Sequence, residues 1–305
     1  MGAEKPENKL ETEVFGLRFP SPVGVAAGLD KNAEMVHLLP EFGFGFAEIG
    51  TVTPKPQQGN PKPRLFRLPK DKALINRMGF NNEGASAIAA KLHKDFSNFI
   101  IGGNIGKNSA TPNKQAVDDY IKSFKELYMV ADYFVVNVSC PNITDLRELQ
   151  DKEHLKNILT AIVETRKSFD AYKPVLLKLS PDLNQEQIDD SVMLTEETGL
   201  DGFVISNTTI QRKGLQTSPK RISNIGQGGL SGRPVRNRST QMINYVFRKT
   251  SGKLPIIGVG GIFSASDALE KLDAGASLIQ VYTGFIYEGP GLIKSINRAI
   301  AKRRS

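Results

Sequence analysis

The sequence predicts an α/β protein folded as a closed (β/α)8 barrel, and three observations carry that prediction. Short apolar, β-branched runs recur at regular intervals along the 305 residues. Helical patterns lie between most of them. The runs are nearly continuous rather than alternating, the mark of parallel strands covered on both faces. Eight strand–helix units fit a barrel of about 250 residues with room for insertions. An open, doubly wound sheet is the other arrangement this pattern allows. No change of composition marks a linker, so residues 1–305 read as a single domain.

The strands are expected at PVGVAAG (22–28), FAEIGTVT (46–53), FIIGGNIG (99–106), YFVVNVSC (133–140), PVLLKLS (174–180), GFVISNTT (202–209), PIIGVGGI (255–262) and SLIQVYTG (277–284). The helices are expected at KNAEMVHLL, EGASAIAAKLHKDF, QAVDDYIKSFKELYMVA, HLKNILTAIVETRKSF, EQIDDSVMLTEETG, STQMINYVFRKTSG, SASDALEKLDAG and GPGLIKSINRAIAKR. Their apolar residues recur at helical spacing. The segment from Thr53 to Asn82 is long for a strand-to-helix connection and carries PKPQQGNPKPRLF, so it reads as an excursion over the barrel mouth. A similar insertion runs from Thr209 to Arg238.

Composition narrows the function classes. One cysteine cannot form an internal disulfide, which favours a reducing compartment. The N-x-S/T matches at Asn137, Asn142 and Asn207 therefore read as coincidences. No apolar run approaches the roughly 20 residues that span a bilayer. The net charge of +8 is spread along the chain, with small clusters at Lys62–Arg67, Lys70–Lys72 and Lys302–Arg304. No basic tract is interleaved with aromatic residues, so a nucleic-acid partner is not expected.

Chemistry in a barrel of this kind gathers at the C-terminal ends of the strands. Those ends carry Lys31, Thr51, Asn104, Asn137, Cys140, Asn142, Lys178, Asn207 and Thr208, with Asn76 on the excursion. A single asparagine there is usually a turn former. Lys178 alone could lie at the surface, yet it follows Val175-Leu176-Leu177, which draws its stem into the barrel mouth. As a set, amides offering donors and acceptors suit a flat heterocycle with alternating C=O and N–H groups. The last two strands end in GVGGI and QVYTGF, each followed by a helix start, where the (β/α)8 fold commonly seats a phosphate. No metal-ligating cluster is expected.

The motifs AAGLDKNAE, EIGTVTPKPQQGNPKPRLFRLPKD, INRMGFNNEG, NVSCPN, ISNTT, GGLSGRP, PIIGVGGI and QVYTGFIYEGP together resemble dihydroorotate dehydrogenase. The likeness is to class 2, the membrane-associated, quinone-linked kind, and runs from about Leu10 to the C-terminus. It implies a TIM barrel that binds FMN and oxidises dihydroorotate to orotate in pyrimidine synthesis. Position by position, it implies FMN contacts from Ala27, Gly28, Leu29, Asp30 and Lys31, and from Thr51, Asn104, Asn137, Lys178, Ser206, Gly232, Gly261, Tyr282 and Thr283. It implies substrate contacts from Lys31, Asn76, Arg77, Met78, Gly79, Phe80, Asn137, Asn142, Asn207 and Thr208. Lys178 would place positive charge where reduced flavin becomes anionic. Hydride would pass from substrate C6 to flavin N5 while a base, Cys140, takes the proton from C5.

Two departures from class 2 qualify the resemblance. Class 2 usually has serine where this chain has Cys140, cysteine there being the habit of class 1. Only MGAEKPENKLE precedes the match, so the helical extension of class 2 is expected to be absent and residues 1–11 to be loose. Arg67 matches a residue near the family's quinone site. The expected acceptor is therefore a quinone, with peripheral contact on the cytoplasmic side of the cell membrane. The rivals are a class 1-like enzyme using fumarate or NAD, another FMN barrel reducing a related pyrimidine, a Schiff-base aldolase using Lys178, and a non-enzymatic phosphate-binding barrel.

Overall fold

The computed structural model describes residues 9–92, 99–138 and 152–305. The chain opens with a hairpin, β1 (Thr12–Val14) and β2 (Leu17–Phe19), and enters the barrel at β3 (Val23–Val25) and β4 (Phe46–Val52). The first excursion contributes β5 (Leu65–Leu68) and β6 (Ala73–Asn76) before α1 (Ala85–Lys91) and β7 (Ile100–Ile105). Regular alternation follows: α2 (Ala116–Leu127), β8 (Tyr133–Val136), α3 (Lys152–Arg166), β9 (Val175–Leu179), α4 (Gln185–Thr198) and β10 (Gly202–Ile205). The second excursion holds α5 (Pro219–Ile225) and β11 (Gly229–Gly232). The chain ends with α6 (Arg236–Lys249), β12 (Ile256–Val259), α7 (Ala265–Asp273), β13 (Leu278–Val281), α8 (Thr283–Glu288) and α9 (Gly291–Arg303).

Eight parallel strands close in the order β10-β12-β13-β3-β4-β7-β8-β9, so the barrel holds and the open sheet does not. The strands are buried on both faces, as in Phe46–Val52 and Val175–Leu179, which accounts for their unbroken apolar character. Helix ends follow local chemistry. Asn184 and Gln187 form a reciprocal capping box at the start of α4, and Gly199 closes its end with φ 75°. Ser264 caps α7 by accepting the Asp267 N–H.

Aromatic rings fill the lower barrel. Phe19 of the hairpin packs edge-on against Phe46 with ring centroids 5.2 Å apart, and Tyr133 joins the same apolar cluster. Gly24 and Gly102 make room for these rings, since a Cβ at either position would overlap Phe46 or Tyr133. This packed floor fills the N-terminal end of the barrel.

The two excursions form one structure. Strands β5, β6 and β11 make a three-stranded antiparallel sheet of their own, beside the barrel strands. Asp71 fastens the excursions by accepting the N–H of Gln216 and both the N–H and hydroxyl of Thr217. Arg77 adds hydrogen bonds to the carbonyls of Ile225 and Gln227.

One expected helix is absent. KNAEMVHLL forms turns instead, because the Asp30 carboxylate takes the N–H groups of Glu34 and Met35, each at 2.8 Å, and Ala33 sits at φ 56°. Pro40 then starts a short 3-10 turn, Pro40–Phe42. Of the segment expected to be loose, residues 1–8 lie outside the described residues, whereas the carbonyls of Lys9, Leu10 and Glu11 accept from Arg304.

Candidate active site

A cavity open to solvent lies at the C-terminal ends of the strands. Its wall divides into two chemically different halves.

One half carries the amides and cations. Lys31 reaches it from the turn shaped by Asp30, and Thr51 from the end of β4. Asn137, Lys178, Ser206, Asn207 and Thr208 follow from the ends of β8, β9 and β10. The amides among them are hydrogen-bonded to one another. Asn137 donates to Thr51 Oγ1 at 2.9 Å and to Asn104 Oδ1 at 3.3 Å, and Asn207 donates to Asn137 Oδ1 at 3.3 Å. Tyr120 of α2 donates to the Asn137 carbonyl at 2.9 Å and fixes that strand end from behind.

Beneath them lies Glu48, fully buried in the barrel. Its Oε1 accepts from Lys178 Nζ at 2.9 Å and Asn104 Nδ2 at 2.6 Å, and its Oε2 accepts from Gln280 Nε2 at 2.7 Å. An ionised carboxylate only accepts hydrogen bonds, so Asn104 must turn its NH2 group downward and its carbonyl oxygen up toward Thr51 and Asn137. Polarity therefore passes from Glu48 to the cavity wall. Burial, then the Glu48 charge, push the nearby Tyr133 phenol well above its usual titration range.

The other half is glycine-rich. Gly232, Gly260 and Gly261 line it with φ of 99°, 119° and 74°. A Cβ at Gly261 would overlap Arg236, and one at Gly232 would overlap the Lys72 carbonyl. Thr283 and Ser231 share a 2.8 Å hydrogen bond beside them. Apolar side chains, among them Met78, Phe80, Val259 and Ile262, complete the wall.

Most residues singled out from the sequence meet here, including Ala27, Gly28, Asn76, Gly79 and Tyr282. Four stand off the wall. Leu29 packs against the core, Asp30 shapes the turn, Arg77 ties the excursions together, and Asn104 supports the amides from below. Cys140 and Asn142 lie outside the described residues. Sequence reasoning missed Glu48 and Gln280, both polar positions inside apolar strands.

A sequence profile of the family described as dihydroorotate dehydrogenase matches residues 9–303. The chain belongs to that family. The dihydroorotate dehydrogenase (quinone) of Christiangramia forsetii is 55% identical over 295 residues, which cover 97% of this chain and 85% of the relative. That of Gloeobacter violaceus is 52% identical over 299 residues, covering 98% and 82%. Among solved structures, the Eimeria tenella dihydroorotate dehydrogenase in complex with ferulenol superposes with a TM-score of 0.90 at 39% identity, covering 98% of this chain and 85% of that one.

Quinone-linked dihydroorotate dehydrogenases are FMN flavoproteins, and the cavity fits that group. The glycines bring backbone N–H groups within reach of an anion, the task a phosphate sets. The opposite half offers an ammonium and amides, suited to the polar edge of a flavin ring and a pyrimidine beside it.

Behind the glycine loop, Lys271 of α7 is buried and donates to the Arg236 carbonyl at 2.7 Å and Thr240 Oγ1 at 2.5 Å. Burial lowers its titration from 10.5 to about 8. The unfolded chain therefore binds the extra proton between those values, and stability rises with pH across that interval. Relative to Lys271→Met, the wild type is expected to gain on the order of 2 kcal/mol between about pH 8 and pH 9.5 in urea unfolding. A constant difference between the two proteins would show that this ammonium is not desolvated.

Proposed function

We propose that the protein oxidises (S)-dihydroorotate to orotate in de novo pyrimidine biosynthesis and passes the electrons to a quinone. The observation that carries this reading is one cavity with an amide-and-ammonium half facing a glycine half, in a chain of this family. FMN, held between the Gly232 and Gly261 side and Lys178, would supply the two-electron acceptor for the substrate and the electron donor for the quinone. The protein's own groups do the rest. Lys31 and the asparagines hold the substrate's carboxylate and amide edges, Lys178 supplies positive charge beside the flavin, and Cys140 takes the proton from C5.

The quinone reading is supported by the excursion sheet. Arg67, on β5, stands over the Tyr287 ring at 5.3 Å, and Tyr287 donates to the Ala73 carbonyl at 2.9 Å. This sets the Arg67 cation of β5 over an aromatic ring of α8, just beyond Tyr282 and Thr283 of the cavity wall. Among the described residues no helix is long and apolar enough to cross a membrane. The contact we propose with the cytoplasmic face of the cell membrane is a peripheral one.

Orotate formation with a short-chain quinone, fumarate or NAD as sole acceptor tests this reading. The quinone is expected to sustain turnover several-fold faster than either alternative. Fumarate turnover equal to or above quinone turnover would move the protein to the class 1 chemistry.

A further inference from the structure

A buried carboxylate inside an apolar barrel needs a reason. Taking Glu48 out of water costs several kcal/mol before its partners are counted. Leu176, Val204 and Leu278 line the barrel just below, so the strands could have continued apolar. Instead three strands other than its own send polar side chains to this one group: Asn104 from β7, Lys178 from β9 and Gln280 from β13. All three are buried, and two of the three elements end at the cavity through the same side chains, Lys178 and Gln280.

The Lys178 contact has two consequences. The 2.9 Å ion pair fixes where the ammonium points, because Nζ is anchored to a group that has no freedom of its own. It also compensates the ammonium's charge. An unopposed cation beside a flavin favours the reduced, anionic form, since charge interactions are strong in a site screened from water. A carboxylate at hydrogen-bond distance from that cation opposes this effect.

We propose that Glu48 is the positioning residue of this site, aiming Lys178 into the cavity and, by compensating its charge, holding down the reduction potential of the bound FMN. The inference rests on the reading that FMN occupies the cavity. It does not depend on which substrate reduces the flavin.

The test is the two-electron reduction potential of the FMN-bound protein, measured photochemically against reference dyes without dihydroorotate. Glu48→Gln keeps the side chain's length and an oxygen acceptor for Lys178 and Asn104. Gln280 can rotate its amide to accept from the new NH2 group. Only the charge is lost. The equilibrium is expected to move about tenfold toward the reduced form, a rise of about 30 mV. Glu48→Asp, with the charge kept, is expected to move it less than threefold.

A second variant guards against loss of folding. Glu48→Gln combined with Gln280→Glu reverses the 2.7 Å amide–carboxylate hydrogen bond and leaves the local net charge as it was. Its potential is expected to return to within about threefold of wild type. An unchanged potential in a folded, FMN-bound Glu48→Gln protein would overturn the proposal. So would a double variant whose potential stays about tenfold displaced. Failure of both variants to fold would assign Glu48 to the scaffold alone and overturn it too. A failed substrate assay with the predicted potentials would instead count against dihydroorotate.

Discussion

Cys140→Ala is expected to leave FMN bound and to slow reduction of the flavin by dihydroorotate by about 10²–10⁴-fold, the usual worth of a positioned general base. Hydride loss from C6 needs a proton taken from C5, and a hydrocarbon proton does not leave unaided near neutral pH. Three residues earlier, Asn137 is tied to Thr51, Asn104 and Asn207 and held from behind by Tyr120. The strand that leads to Cys140 thus ends in the cavity wall. A lone cysteine is more often a packing residue, and the experiment separates the two roles. An unperturbed thiol titrates near about 8.5, so the wild-type reductive rate is expected to rise with pH until the thiolate dominates. Cys140→Ser is expected to remain active with its profile displaced to higher pH. Stopped-flow absorbance at the flavin band checks each point, and near wild-type reduction of the alanine variant would return Cys140 to packing.

Lys178→Met carries the second large effect, on stability. Removing the ammonium leaves the Glu48 carboxylate buried with only the amide donors of Asn104 and Gln280. Breaking a buried ion pair from one side typically costs about 3–5 kcal/mol, because the remaining charge is still desolvated. Urea unfolding is expected to show a loss of that size. Adding Glu48→Gln to Lys178→Met is expected to restore most of it, since the charge that made the single change costly is gone. Losses that simply add would contradict the pairing. Lys178→Met is also expected to lower the flavin's reduction potential, opposite to Glu48→Gln.

The parts of the fold that follow a repeating pattern were legible in the sequence. All eight barrel strands lie within the apolar runs that predicted them, because burial on both faces writes itself into consecutive residues. KNAEMVHLL was misread because its helical spacing is real but its hydrogen bonds go to Asp30 instead. The shared sheet of the excursions was not legible either, since β6 pairs with β11, about 150 residues away, and no local signal reports that partner.

The site divides in the same way. Lys31, Lys178 and the asparagines were visible because they interrupt apolar strands at their ends, where this fold puts its chemistry. Glu48 sits within a strand, and a glutamate there has no meaning until Lys178, 130 residues further on, is known to lie across the barrel from it. Asp30 and Arg77 match the family's motifs, yet their hydrogen bonds show them shaping a turn and joining two loops.

Anaerobic titration of the purified protein with dihydroorotate tests the assigned activity most directly. The protein is expected to be yellow with one non-covalent FMN per chain. Its flavin absorbance is expected to bleach as dihydroorotate is added, with one orotate formed per flavin reduced. A protein that binds no FMN, or a flavin that stays oxidised under excess dihydroorotate, would contradict it.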